Sequence, residues 1–197
     1  MPETTAKTGV WHEILKPTLV LIIIATLISV LLAFTYNAAG VAALATAGLK
    51  PDELAEYQPT VLPGATTLKQ ISVSTEDPAL LGVYADEGGS GAALHILTQG
   101  YQGNDMKLLV GINPDGTVAG VVYTECNETP GLGTKTNDPA FLGQFVGKSG
   151  ELTVGKAGGG SDIDAISGAT ISSNAVTDGV NIALQLYDAV KGEIAGE

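Results

Sequence analysis

No charged residue occurs between Lys16 and Lys50, and inside that gap lies PTLVLIIIATLISVLLAFTY, Pro17 to Tyr36. At the helical rise of about 1.5 Å per residue such a run is about 30 Å long, the thickness of a bilayer core. Pro17 suits a first helical position, and Tyr36 is expected at headgroup level. A cleavable export signal is the competing reading, because NAAGVAALATA beyond the run offers small residues for cleavage. The length of the run and a leading tail without net positive charge argue for a retained anchor. Lys7 and Lys16 flank one side, while the other has no basic residue before Lys50. That asymmetry predicts a cytoplasmic N-terminus and an extracytoplasmic domain at the cell membrane.

Charge divides the chain at the same place. Before Lys50, two lysines (Lys7, Lys16) balance two glutamates (Glu3, Glu13), so the whole formal charge of -12 lies from Lys50 onward. Such a surface repels nucleic-acid phosphate and excludes nucleic acid as an expected partner. All nine basic residues are lysines. Any phosphate must therefore be held by lysine, by backbone N–H groups or by a covalent bond. The lone Cys126 cannot form an internal disulfide, a paired-cysteine zinc site or an iron–sulfur cluster, so it reads as a small buried hydrophobe and no metal site is expected.

Beyond the anchor, AALATAGLKPDELAEYQPTVLPGA is helix-compatible at first, with Pro59 and Pro63 expected to end it. TLKQISVS, LLGVYADE and GAALHILTQGYQG read as strands. MKLLVGINPDGTVAGVVYTE sets two β-rich runs around NPDG, a turn with Pro second and Gly fourth, predicting a hairpin from about Lys107 to Glu125. A glycine-rich loop, CNETPGLGTKTN, follows, then a short amphipathic helix in DPAFLGQFVG, a strand in ELTV and a flexible KAGGGSD. The last element is a helix capped by Ser172 or Ser173, with Val176, Val180, Ala183, Leu184, Tyr187 and Val190 on one face. The sum is an α+β fold: an antiparallel-sheet domain with flanking helices behind a single N-terminal transmembrane helix. The division predicted is tail 1–16, span 17–36, helical linker 37–66 and sheet domain 67–197.

Between the sheet and the last helix stands DIDAISGATISSNAV, residues 162–176. On pattern alone it is a loop and helix cap, where Ser, Gly and Asn are common. The same geometry serves an anion: a helix N-terminus presents free N–H groups, and Gly168 with Ala169 lets the backbone come close. Thr170 would then place a hydroxyl where a phosphate rests. A Ser or Thr hydrolase would need a base beside its nucleophile, and neither His12 nor His95 stands in such a signature.

DAISGAT resembles the flavinylation motif of the covalent FMN-binding family, an acidic residue followed by Ser/Thr-Gly-Ala-Thr. The resemblance implies FMN joined through its phosphate to Thr170, put there by a flavin transferase that uses FAD as donor. It also implies that Asp164, Ser167, Gly168 and Ala169 are recognition residues, with Ile171 beside them at the cofactor. NETPGLGTK, residues 127–135, resembles a second motif of the same family that shares the flavin pocket. From it come Glu128 as an orienting residue, Thr129, Pro130 and Leu132 as ring contacts, Gly131 and Gly133 for close approach, and Lys135 as a polar contact or a solvated surface lysine. GYQG (100–103) and VLPGA are weaker echoes, and the resemblance implies no catalytic residue.

Length and layout are similar to the G subunits of Rnf electron-transport complexes, with the longer C subunits of sodium-pumping NADH:quinone reductases as near relatives. The implied role is a membrane-anchored electron carrier, with the other Rnf membrane subunits as partners. Those complexes couple ferredoxin/NAD electron transfer to sodium or proton movement. TECN stands where relatives often carry histidine before the second motif. Three other readings stay open at this stage: a C-type subunit of a sodium-pumping NADH:quinone reductase, a stand-alone exported covalent flavoprotein reductase, and a non-redox surface module in which both motifs are only loops.

Overall fold

The computed structural model describes residues 15–38, 48–75 and 77–194, with side chains of the first stretch described to residue 34. The chain divides into two units, Met1–Ala47 and Gly48–Glu197. In the first, α1 (Lys16–Ala38) is long and apolar enough to cross a membrane by length and composition. Its leucines, isoleucines and valines are exposed throughout. Its two central hydroxyls are satisfied within the helix: Thr26 Oγ1 donates to the Ile22 carbonyl at 2.7 Å and Ser29 Oγ to that of Ala25 at 2.8 Å. A helix that meets its own polar demand in this way suits a hydrocarbon layer. The expected anchor side chain Tyr36, most of the tail and linker residues 39–47 lie outside the described residues.

The second unit opens with α2 (Pro51–Val61), where Pro51 occupies the first turn and the Lys50 N–H donates to Glu53. Pro59 does not end this helix, contrary to the sequence expectation; it lies inside the last turn. Val61 and Leu62, both essentially fully buried, hold that turn against the sheet. The stretch expected as a linker is thus split, since α2 belongs to the folded unit.

Five antiparallel strands follow in simple order: β1 (Leu68–Ile71), β2 (Leu80–Asp86), β3 (Ala92–Gln99), β4 (Asp105–Ile112) and β5 (Val118–Cys126). Alternation along β3 and β4 sends Ala92, Leu94, Ile96, Leu108 and Val110 to one face and Ala93 and Leu109 to the other. The first face is covered by the long C-terminal helix, α4 (Thr170–Ile194), through the apolar stripe read from the sequence. The second is covered by α2. There the paired Gly111 and Gly120 leave room for the backbone of Val61 and Thr60, which a Cβ at either glycine would strike.

Between β5 and α4 run a 3-10 turn at Gly133–Asn137, α3 (Pro139–Leu142) and a second 3-10 turn at Gly143–Phe145. The strand expected in ELTV lies later, as β6 (Val154–Lys156). It pairs in parallel with β7 (Ile163–Ala165), which the sequence pattern reads as loop. Tyr101–Gly103, expected as the end of a strand, is a tight turn with Gln102 at φ 59°. Cys126 is half-buried against the core.

His95 lies in β3, buried, with Nε2 2.8 Å from Thr124 Oγ1. Thr124 donates to the Lys107 carbonyl at 3.3 Å, so the imidazole carries its proton on Nε2, and Nδ1 is buried without a partner among the described residues. Burial, with the Lys107 ammonium beside it, lowers the His95 pKa to about 4. The unfolded histidine takes up its proton near 6.5, so the stabilisation from neutral His95 is complete above that value and is lost as pH falls towards 4. Between about pH 7 and pH 5 the loss amounts to about 2 kcal/mol. Denaturant titrations in detergent, followed by circular dichroism, should show it. A His95→Gln chain should show a flatter profile, and equal slopes for the two would reject the assignment.

A cavity between two loops and a helix start

Each half of the cavity is shaped by local turn chemistry. On one side, the Ala169 N–H donates to the Ile166 carbonyl at 2.9 Å, closing a turn with Gly168 third at φ 82°. That left-handed conformation costs glycine little and other residues more. Ser173 then reaches back, with its Oγ accepting from the Ile166 N–H at 3.1 Å and donating to the Ala169 carbonyl at 3.0 Å. The helix therefore starts at Thr170, and Ser172 and Ser173, expected as caps, are buried in its first turn. The first main-chain helical bond runs from the Ser173 N–H to the Ala169 carbonyl. The N–H groups of Thr170, Ile171 and Ser172 thus have no intrahelical acceptor.

On the other side, the ETPGLG loop folds on itself. Thr129 accepts from the N–H groups of Leu132 and Thr134, and the Gly131 N–H, at φ 75°, donates to Thr134 Oγ1 at 2.9 Å. Thr136 is fully buried and donates to the Gly133 carbonyl at 2.7 Å. Its lone pair takes the Tyr123 hydroxyl proton at 2.6 Å. Burial pushes the Tyr123 phenol well above its usual range and keeps it a donor.

Glu128 joins the two sides. It is buried at 5% exposure, and its Oε1 accepts from the Tyr101 N–H at 2.8 Å while Oε2 accepts from Ser172 Oγ at 2.8 Å. Gly100 and Gly133 bracket the carboxylate, and a Cβ on either would collide with it.

The cavity between these loops, open to solvent on one side, has a volume of about 470 Å³, within the usual range for a small-ligand site. Its lining is Tyr101, Glu128, Thr129, Leu132, Gly133, Gly168, Ala169, Thr170, Ile171 and Ser172. Three large apolar side chains are left exposed at it: Tyr101 at 45%, Leu132 at 50% and Ile171 at 54%. Thr170 is exposed at the helix start, and its hydroxyl makes no hydrogen bond within the described residues. An apolar slot ending on a free hydroxyl and unpaired N–H groups fits a flat ring system with a phosphate at one end.

Of the residues singled out in the sequence, Ser167, Pro130, Gly131, Lys135 and Asp164 do not line the cavity. Asp164 lies on β7 and accepts from the Gly158 N–H at 3.1 Å, tying down the glycine-rich loop before it. Lys135 is exposed on the 3-10 turn. Tyr101 and Ser172 line the cavity and are not among the expected site residues. The GYQG echo is the only sequence signal for Tyr101, and Ser172 reads as a cap.

Residues 100–185 match the FMN-binding domain family. Over nearly the whole chain there is similarity to the G subunit of the Na(+)-translocating ferredoxin:NAD(+) oxidoreductase complex of Acetobacterium woodii, 33% identical, covering 94% of this chain and 97% of that one. The chain belongs to the G-subunit family of the Rnf ion-translocating oxidoreductase complexes. The G subunit of the ion-translocating oxidoreductase complex of Methanosarcina acetivorans is 34% identical and covers 91% of this chain and 97% of its own. The fold is shared with the solved C subunit of the Na(+)-translocating NADH-quinone reductase of Parabacteroides distasonis. That structure is 20% identical with a TM-score of 0.50, covering 72% of this chain and 83% of that one. The family match spans both cavity loops, so the cavity of this G-family chain lies within its FMN-binding domain.

Proposed function

We propose that this G-family chain is a membrane-anchored electron-transfer subunit whose FMN is joined by a phosphoester to Thr170. The observation that carries the reading is the free, exposed Thr170 hydroxyl at a helix N-terminus on the cavity wall. In the attachment step a flavin transferase presents FAD. Thr170 Oγ forms a bond to the phosphorus of the FMN half, the pyrophosphate bond breaks, AMP leaves, and the hydroxyl proton passes to the transferase. The N–H groups of the first turn and the helix dipole stabilise the resulting phosphodiester charge. No lysine lines the cavity among the described residues, so the main chain serves in place of a basic side chain. Leu132, Ile171 and Thr129 wall the ring, and the flavin itself supplies the electron-carrying chemistry. The Rnf membrane subunits donate and accept those electrons. Covalent attachment keeps the cofactor with the protein outside the cytoplasm. The intact mass of full-length protein from its native host tests this, with an increase of FMN less one water expected. An unmodified polypeptide mass would refute it.

Lys7 and Lys16 on one side of the apolar run support a cytoplasmic N-terminus with the acidic domain outside. Protease added to sealed cells should cut the chain beyond Lys50, and protection there would reverse the orientation.

A further inference from the structure

Glu128 is the single charged side chain lining the cavity among the described residues. Its two oxygens both accept, one from a main-chain N–H and one from a hydroxyl, and neither partner is a cation. No acidic residue stands in the first turn of α4, so Glu128 brings the negative charge to this helix start from 44 residues away. Burial at 5% exposure keeps water and salt from screening that charge as they would on the surface. Gly100 and Gly133 leave the carboxylate no room to swing aside.

We infer that the Glu128 carboxylate holds down the reduction potential of the group bound in this cavity. The inference rests on FMN attachment at Thr170 and deepens that reading. An electron added to a ring in the cavity is added beside a fixed negative charge. Glu128 itself lines the cavity, so a ring seated against its walls lies near the carboxylate. At an effective dielectric of about 20, one charge within about 12 Å changes a one-electron equilibrium at least tenfold. The helix start opposes this with a partial positive charge, which the phosphodiester already engages.

Glu128→Gln separates charge from geometry. The amide oxygen can still accept from the Tyr101 N–H, and the amide nitrogen can donate to Ser172 Oγ. Full-length parent and Glu128→Gln chains, made with a flavin transferase and purified in detergent, would be titrated potentiometrically in mildly alkaline buffer. Attached FMN would be quantified by mass in each. The expected result is equal attachment, an unchanged circular dichroism spectrum and a midpoint raised by about 59 mV or more, the equivalent of tenfold for one electron. A folded, fully flavinylated variant with an unmoved potential would overturn the inference, as would a folded variant that carries no FMN, since the carboxylate would then be needed for attachment itself. If the parent carries no FMN, the attachment reading fails instead. Should Glu128→Gln not fold, Glu128→Ala carries the test, since it removes the charge together with the side chain that Gly100 and Gly133 bracket, and the potential should rise likewise. An unmoved potential in that folded, flavinylated variant would equally overturn it.

Discussion

Thr170→Ala chains are expected to lose all covalently bound flavin while keeping their fold. Alanine is the best helix former, and Thr170 is an exposed first-turn residue without a side-chain hydrogen bond, so the stability change stays within about 0.5 kcal/mol. The neighbouring hydroxyls do not substitute. Ser172 is buried and donates to the Glu128 carboxylate, and Ser173 is buried and donates to the Ala169 carbonyl. Flavin fluorescence in a denaturing gel, together with intact mass, reads the outcome. Fluorescence should vanish from Thr170→Ala and persist in Ser172→Ala. A fluorescent Thr170→Ala band would move the attachment elsewhere and leave the cavity with a loosely held ligand at most.

Phe145→Ala costs the domain about 3–5 kcal/mol. Phe145 is fully buried and meets Phe141 edge to face, with ring centroids 5.7 Å apart and planes at 79°. The cost combines lost apolar contact with the cavity that surrounding residues cannot fill. Both rings follow the ETPGLG loop, on elements that contact β5 and the 3-10 turn after that loop, so truncation should loosen the packing of that turn. A melting temperature lower by roughly 10–15 °C is expected for a unit of this size. Val146→Ala is the control, since Val146 is 53% exposed and its truncation should shift the melt little. Equal losses from the two variants would show that the aromatic pair does not anchor the loop.

The anchor, the NPDG hairpin and the buried stripe of α4 are all legible in the sequence, because each is written in a local period or a turn. A charge-free run, an alternation of two and a spacing of three and four residues each have one geometric solution. Both halves of the cavity are legible as well, from the SGAT and ETPGLG motifs. The sequence pattern sets the start of α4 three or four residues late. Ser172 and Ser173 look like caps locally, yet one is claimed by Glu128 and the other turns back to Ile166. Pro59 reads as a stop because its penalty is local, whereas the burial of Val61 and Leu62 that outweighs it is not.

By itself, then, the sequence determined an apolar span, an antiparallel α+β domain and a hydroxyl at a glycine turn, since these follow from neighbours a few residues apart. Only the tertiary structure decided that Tyr101 and Ser172 line the cavity while Lys135 and Asp164 do not. It alone paired β7 with β6, and it alone set Glu128 between two glycines. Those outcomes depend on strand register, which brings Glu128 to partners 27 and 44 residues away, and no local pattern encodes a distance of that kind.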